Sequence, residues 1–209
     1  MTSLSPRVYV IDDEPSVRKA LERLLRAAGL EVATCASGPD YLAQFDPDVP
    51  GCLVLDLAMP GFSGLELQQA LAARGATPPI IFLTGRGDVP SSVQAMKRGA
   101  FEFLSKPVDE GLLLEAVRHA IEKDRVDRLE RAALADVRAR LATLTPRETE
   151  VLACVIAGLL NKQTADLLGT AEKTIKVHRA HIMEKMQVKS LAELVRLADA
   201  AGIAPARER

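Results

Sequence analysis

Nowhere in the 209 residues do 18 apolar residues follow one another, so no membrane-spanning helix is expected. Met1–Pro6 lacks a charged start followed by an apolar stretch, so no signal peptide is expected and the reading is cytoplasmic. Cysteine is scarce: Cys35, Cys52 and Cys154 are far apart and form no CxxC pair. They read as reduced, buried thiols rather than as a disulfide framework, a metal site or a redox pair. No segment has the composition of a disordered chain, and 48% of residues are hydrophobic, enough for ordinary cores. Net charge is only −1, but its distribution is uneven. Residues 1–123 carry 12 Lys and Arg against 16 Asp and Glu, whereas residues 124–209 carry 15 against 12. An acidic half suits a bound cation, and a basic half suits a polyanion.

The first half alternates strands and helices. Arg7–Ile11 is an apolar run ending in Asp12-Asp13-Glu14, and Pro15 opens a helical pattern carrying Val17, Leu21, Leu24 and Leu25, closed by Gly29. Glu31–Cys35 is a second strand, and Ser37 caps a second helix with Tyr41, Leu42 and Phe45. Cys52–Leu55 is a third strand, and Ser63-Gly64 begins a helix with Leu65, Leu67 and Leu71. Ile80–Leu83 is a fourth strand ending in Thr84; a helix follows over Asp88–Arg98, then a fifth strand at Glu102–Leu104, and a further helix begins at Asp109. This alternation predicts an α/β doubly wound, five-stranded parallel sheet. In such a sheet the loops after the strands share one edge, where ligands bind.

Asp56 alone, after its apolar run and before Met59-Pro60-Gly61, reads as a solvated acid at a strand end. Four residues that follow other strands change that reading: Asp12, Asp13, Thr84 and Lys106. Three carboxylates gathered at one edge repel one another, and a hard cation such as Mg²⁺ relieves the repulsion while accepting phosphate oxygens. A carboxylate aimed at a phosphoryl group can act as its nucleophile, with a lysine neutralising charge from another side.

These residues carry a resemblance. Asp12-Asp13, Asp56 with Met59-Pro60-Gly61, Thr84-Gly85, and Gly99-Ala100-Phe101-Glu102-Phe103-Leu104-Ser105-Lys106-Pro107 resemble the receiver domain of two-component response regulators, a flavodoxin-like fold, over roughly the first 120 residues. The resemblance implies that a sensor histidine kinase phosphorylates Asp56. It implies Mg²⁺ held by Asp13, Asp56 and the Ala58 carbonyl, with Asp12 reaching it through water, Thr84 and Phe103 as a switch pair, Lys106 as the phosphate-binding lysine, and a cis Lys106–Pro107 bond. Asp88-Val89-Pro90-Ser91 followed by Met96-Lys97-Arg98-Gly99 looks like the FixJ branch, in which this face dimerises on phosphorylation.

After Gly111, up to Leu141, the chain has neither Gly nor Pro, and Leu114, Val117, Ile121, Val126, Leu129, Ala133, Val137 and Leu141 recur at steps of mainly three and four. This predicts one long or slightly broken connecting helix, either a coiled-coil contact or a solvated spacer. Thr145, Pro146 and Glu148 then form a capping box at the start of a helix with Val151, Leu152, Val155 and Ile156, ended by Gly158. Short helix Asn161–Leu168, turn Gly169-Thr170-Ala171 and basic helix Glu172–Met186 make a helix-turn-helix, and Ser190 caps a fourth helix. The strings Leu144-Thr145-Pro146-Arg147-Glu148, Asn161-Lys162-Gln163 and Thr174-Ile175-Lys176-Val177-His178 resemble the LuxR-type DNA-binding domain. That resemblance puts Lys176 and Val177 at the bases of double-stranded DNA, and Lys173, Thr174, His178, Arg179 and Lys185 mostly at phosphates. Ala180 departs from the family by offering no base-reading cation, and Ala171 and Leu160 replace the usual Ser or Thr caps.

The expectation is a NarL/FixJ-type transcriptional regulator: receiver 1–122, helical linker 123–142 and an all-α, four-helix DNA-binding domain 143–209. Its further partners would be a second copy of itself and RNA polymerase, and it would be no enzyme beyond its own phosphorylation and dephosphorylation. An aspartyl-phosphate phosphatase is disfavoured because Ala58 stands where those enzymes resemble one another in having a second acid. A LuxR-type small-molecule sensor would lack the acidic set, and a degenerate receiver would lack part of it.

Overall fold

The structure is a computed structural model and describes residues 5–85 and 97–206. Its described residues fall into two units that divide after Arg128. In the first, strands β1 (Arg7–Ile11), β2 (Glu31–Cys35), β3 (Gly51–Asp56), β4 (Ile80–Thr84) and β5 (Glu102–Ser105) form one parallel sheet in the order β2-β1-β3-β4-β5. Each strand matches its sequence expectation or extends it by one residue at one or both ends. Asp56 is thus the last residue of β3 rather than the first of a loop.

β3 lies in the middle of the sheet and is buried along its whole length, as its unbroken apolar run requires. Alternate residues feed opposite faces. Tyr9, Ile11, Leu53, Leu55 and Phe82 pack with Tyr41 of α2 (Gly38–Gln44) and with Leu67 and Leu71 of α3 (Gly64–Ala73). Val8, Val10, Cys52, Val54, Ile81 and Leu83 pack with Leu21 and Leu25 of α1 (Pro15–Ala27) and with Leu113 and Val117 of α4 (Glu110–Leu141). Ser37 and Ser63 cap α2 and α3 with their side chains, and Glu66 completes a capping box on Ser63. The helix and the dimer signature read in residues 88–98 lie, apart from Lys97 and Arg98, outside the described residues.

The connecting stretch is one unbroken helix, α4, of 32 residues. The second unit holds the last turns of α4 and α5 (Pro146–Ile156), α6 (Asn161–Leu168), α7 (Glu172–Lys185) and α8 (Leu191–Ala200). Its core is Val137, Val151, Leu152, Val155, Ala165, Ile175, Ile182, Met186 and Leu194. The Thr145–Glu148 capping box is present, and neither Ala171 nor Leu160 supplies a side-chain cap. At Leu160 the Gln163 side chain reaches back instead, accepting from the Leu160 N–H at 2.7 Å. Among the described residues no helix is long and apolar enough to cross a membrane.

Candidate functional site

Parallel pairing in register brings the strand ends together: Ile11 lies beside Leu55, Asp56 beside Leu83, and Thr84 beside Ser105. The next residues along β1 and β5, Asp12 and Lys106, therefore meet Asp56 at one edge although they are far apart in sequence. Asp12 is fully buried, Asp56 is 7% exposed, and Asp13 is exposed. One oxygen from each of these three carboxylates lies within 4.8 Å of the other two.

Lys106 bridges two of the acids, its Nζ donating to Asp12 Oδ2 at 2.7 Å and to Asp56 Oδ2 at 2.8 Å. Burial by itself would lower the pKa of this ammonium. The hydrogen bonds and charges of Asp12 and Asp56 outweigh burial and hold it above the ordinary lysine value. The second oxygens are bonded locally: Asp12 Oδ1 accepts from the Glu14 N–H at 2.8 Å, and Asp56 Oδ1 from the Ala58 N–H at 3.2 Å. These bonds fix the rotamers of both acids before any ligand arrives. The Lys106–Pro107 bond is cis.

Thr84 is half-buried and its hydroxyl donates to the Gly85 carbonyl at 3.1 Å. Phe103, also half-buried, stacks on Phe82 with ring centroids 5.2 Å apart. Sequence reading missed Arg18, whose Nη1 donates to the Asp12 carbonyl at 2.5 Å and steadies the first acidic loop from α1. Nothing in the sequence marks it, because its acceptor is backbone. The donor set, oxygens of three carboxylates, fits a hard cation that keeps part of its water.

In the second unit, Ile175 and Ile182 turn inward from α7, while Lys173, Thr174, Lys176, Val177 and Ala180 lie exposed. Spacing of three and four places Lys173, Lys176, Val177 and Ala180 on one outward face. Lys176 pairs with Glu172 at 3.0 Å on the exposed surface, an interaction weak enough to give way to a stronger anion. Val177 is 47% exposed on this face. Arg179 and His178 are half-buried, and His178 Nδ1 is enclosed without a hydrogen-bond partner.

Lys185, expected at a DNA phosphate, already has partners within this unit: it donates to Glu148 Oε2 at 2.6 Å and to the Thr143 carbonyl at 3.2 Å. Glu148 is 3% exposed and also accepts from the Thr145 N–H at 2.8 Å, so Lys185 ties the basic helix to the start of α5. The Lys185 bond, then that from Thr145, holds the Glu148 carboxyl at about 2, below its ordinary 4.5. A carboxyl whose pKa falls on folding contributes stability above its unfolded pKa and loses it as pH drops through the folded one. Glu148→Gln should therefore lower the stability of this unit by about 2 kcal/mol near neutral pH. Denaturant titrations should show the gap to wild type closing between pH 4.5 and about 2; a gap independent of pH would overturn this role.

Residues 8–118 match the response regulator receiver domain, and residues 142–198 match the bacterial regulatory proteins of the luxR family. Nodulation protein W of Bradyrhizobium diazoefficiens is 46% identical over 94% of this chain and 86% of its own length. The transcriptional regulatory protein FixJ of Azorhizobium caulinodans is 45% identical over 95% of this chain and 94% of its own. The solved structure of the response regulator StyR, 47% identical, aligns over 93% of this chain and 98% of its own with a TM-score of 0.81.

Proposed function

This chain belongs to the two-component response regulators that join a receiver domain to a LuxR-type DNA-binding domain, and on that premise we propose that Asp56 is its phosphoacceptor and that phosphorylation governs DNA binding by α7. The family is one of transcriptional regulators rather than enzymes, with a histidine kinase upstream and DNA downstream. The observation that carries the assignment of Asp56 is the Lys106 ammonium held between Asp12 and Asp56 beside a third carboxylate.

An Asp56 carboxylate oxygen attacks the phosphorus of the kinase phosphohistidine; the P–N bond breaks, and the imidazole leaves with the electron pair. Lys106 moves from the carboxylate to a phosphoryl oxygen and offsets the charge that accumulates there. The Ala58 N–H, already facing Asp56 Oδ1, holds the attacking group in place. Mg²⁺, held by Asp12, Asp13, Asp56 and the Ala58 carbonyl, would supply charge neutralisation on the remaining phosphoryl oxygens. Thr84 exchanges its bond to Gly85 for one to the phosphoryl group, and Phe103 follows into the space vacated. Attack by water at phosphorus reverses the modification, and that pair of reactions is the whole of the chain's own chemistry.

The phosphorylated form pairs with a second copy, in the cytoplasm, on a pseudo-palindromic duplex. Lys176 and Val177 meet bases; Lys173, Thr174, His178 and Arg179 meet phosphates; and the bound dimer recruits RNA polymerase. Selection from a random duplex pool, followed by titration with acetyl phosphate and Mg²⁺, tests the reading. Affinity should rise about tenfold, a typical coupling between two sites, only when both are present, with dimer appearing in sedimentation. Equal affinity in every condition would refute it.

A further inference from the structure

We infer that Asp124 and Arg128 form a clasp that makes the first half of α4 part of the receiver, and that this clasp must be intact for the state of Asp56 to reach the DNA-binding unit. The second clause rests on the phosphorylation reading above; the first rests on geometry alone.

Asp124 is an acid in the middle of a long helix, yet its side chain is only 1% exposed. Its Oδ2 accepts from the Gly51 N–H at 2.8 Å and from Arg128 Nε at 2.7 Å. The rest of the Arg128 guanidinium is also engaged: Nη1 donates to the Pro47 carbonyl and Nη2 to the Val49 carbonyl, each at 2.8 Å. Three separate nitrogens of one planar fork thus hold a carboxylate and two backbone acceptors at once, a spread that the single nitrogen of a lysine head does not reproduce. The loop it grips, between Pro47 and Pro50, leads directly into β3. Cys52 feels the same carboxylate: burial first, and then the Asp124 charge, push its thiol up to about 12.

Two placements give the clasp its role. β3 begins at Gly51, which Asp124 holds, and ends at Asp56. It is buried throughout and hydrogen-bonded on both sides, so its two ends move as one body. Along α4, Asp124 and Arg128 lie past the end of the receiver match at residue 118, and Arg128 is the last residue of the first unit. Beyond the apolar packing of Cys52 and Val54 with Leu113 and Val117, the clasp is therefore a polar fastening of the strand carrying Asp56 to the part of the helix nearest the second unit. Without it, the turns from Glu122 to Arg128 would lose these bonds to the sheet.

The test uses the full chain as wild type, Arg128→Ala and Arg128→Lys, the last keeping charge and helix propensity. Phosphorylation by acetyl phosphate should proceed at the wild-type rate in all three, since neither position touches Asp56. Hydrogen exchange, read by mass spectrometry over residues 45–51 and 121–128, should accelerate at least tenfold in both variants. The phosphodonor-dependent gain in DNA affinity should fall from the wild-type ratio to near one. If wild type itself gains nothing from the phosphodonor, the phosphorylation reading fails and exchange alone judges the anchor. If wild type gains and the variants gain equally, the coupling role is wrong. Unchanged exchange in Arg128→Lys would overturn the clasp.

Discussion

Replacing Asp56 with Asn yields a folded protein that takes up no phosphoryl group from acetyl phosphate. The substitution keeps the shape of the side chain. Its amide oxygen can still accept from Lys106 Nζ or the Ala58 N–H, the two partners of Asp56 at 2.8 and 3.2 Å. What disappears is the anionic nucleophile. Asp12 cannot take its place, because it is fully buried, whereas Asp56 keeps 7% of its surface exposed. Asp13 is exposed and lies outside the Lys106 bridge. Removing one charge from three packed carboxylates also relieves repulsion, so without divalent cations the variant should melt no lower than wild type. Intact-mass spectrometry after incubation with the phosphodonor and Mg²⁺ decides the matter. An undiminished mass increase would move the phosphoacceptor elsewhere, and a lower melting temperature would make Asp56 a structural acid.

Much of this site is legible in the sequence because each participant ends or directly follows a strand, and strands announce themselves as apolar runs. Once the sheet is parallel, its topology gathers Asp12, Asp56, Thr84 and Lys106 at one edge whatever their separation. The caps at Ser37, Ser63 and Thr145 are legible for a similar reason: a side chain three residues from its partner leaves a local signature. What the sequence hides is contact between a side chain and distant backbone. Arg128 binds carbonyls 79 and 81 residues away, and carbonyls look alike at every position. The Lys185–Glu148 pair is hidden for a related reason. On a helical wheel Lys185 joins the other cations of α7, and only tertiary packing reveals that Glu148, 37 residues earlier, already holds it. A basic residue near a recognition helix is therefore weak grounds for a DNA contact until its other neighbours are known.

The base of β3 should tolerate change even less than the acidic edge, and Gly51→Ala should be the most damaging single-methyl substitution in the receiver. Gly51 has φ +145°, and a Cβ there would lie 1.8 Å from the Arg7 carbonyl oxygen and within 2.9 Å of the Arg7 carbonyl carbon and nitrogen. All three atoms are backbone, so no rotamer change can clear the clash. Arg7 is paired with Gly51 in the β1–β3 ladder, and its N–H donates to the Pro50 carbonyl at 2.9 Å. Making room means parting the two central strands where they begin. That strains the Pro50 bond and also the Gly51–Asp124 bond at 2.8 Å. A clash of this kind with loss of two buried hydrogen bonds should cost about 4 kcal/mol or more, much of the stability of an ordinary domain. Gly61→Ala is the matched control: its φ is +75°, but a Cβ there meets nothing within 4 Å, so the cost should be backbone strain of about 1 kcal/mol. In urea, Gly51→Ala should unfold the receiver at much lower concentration than Gly61→Ala. The second unit, with its own core, should keep its transition. Equal midpoints for the two variants would mean that β1 and β3 are not packed this closely at their start, and the anchoring of β3 by Asp124 would lose its footing with them.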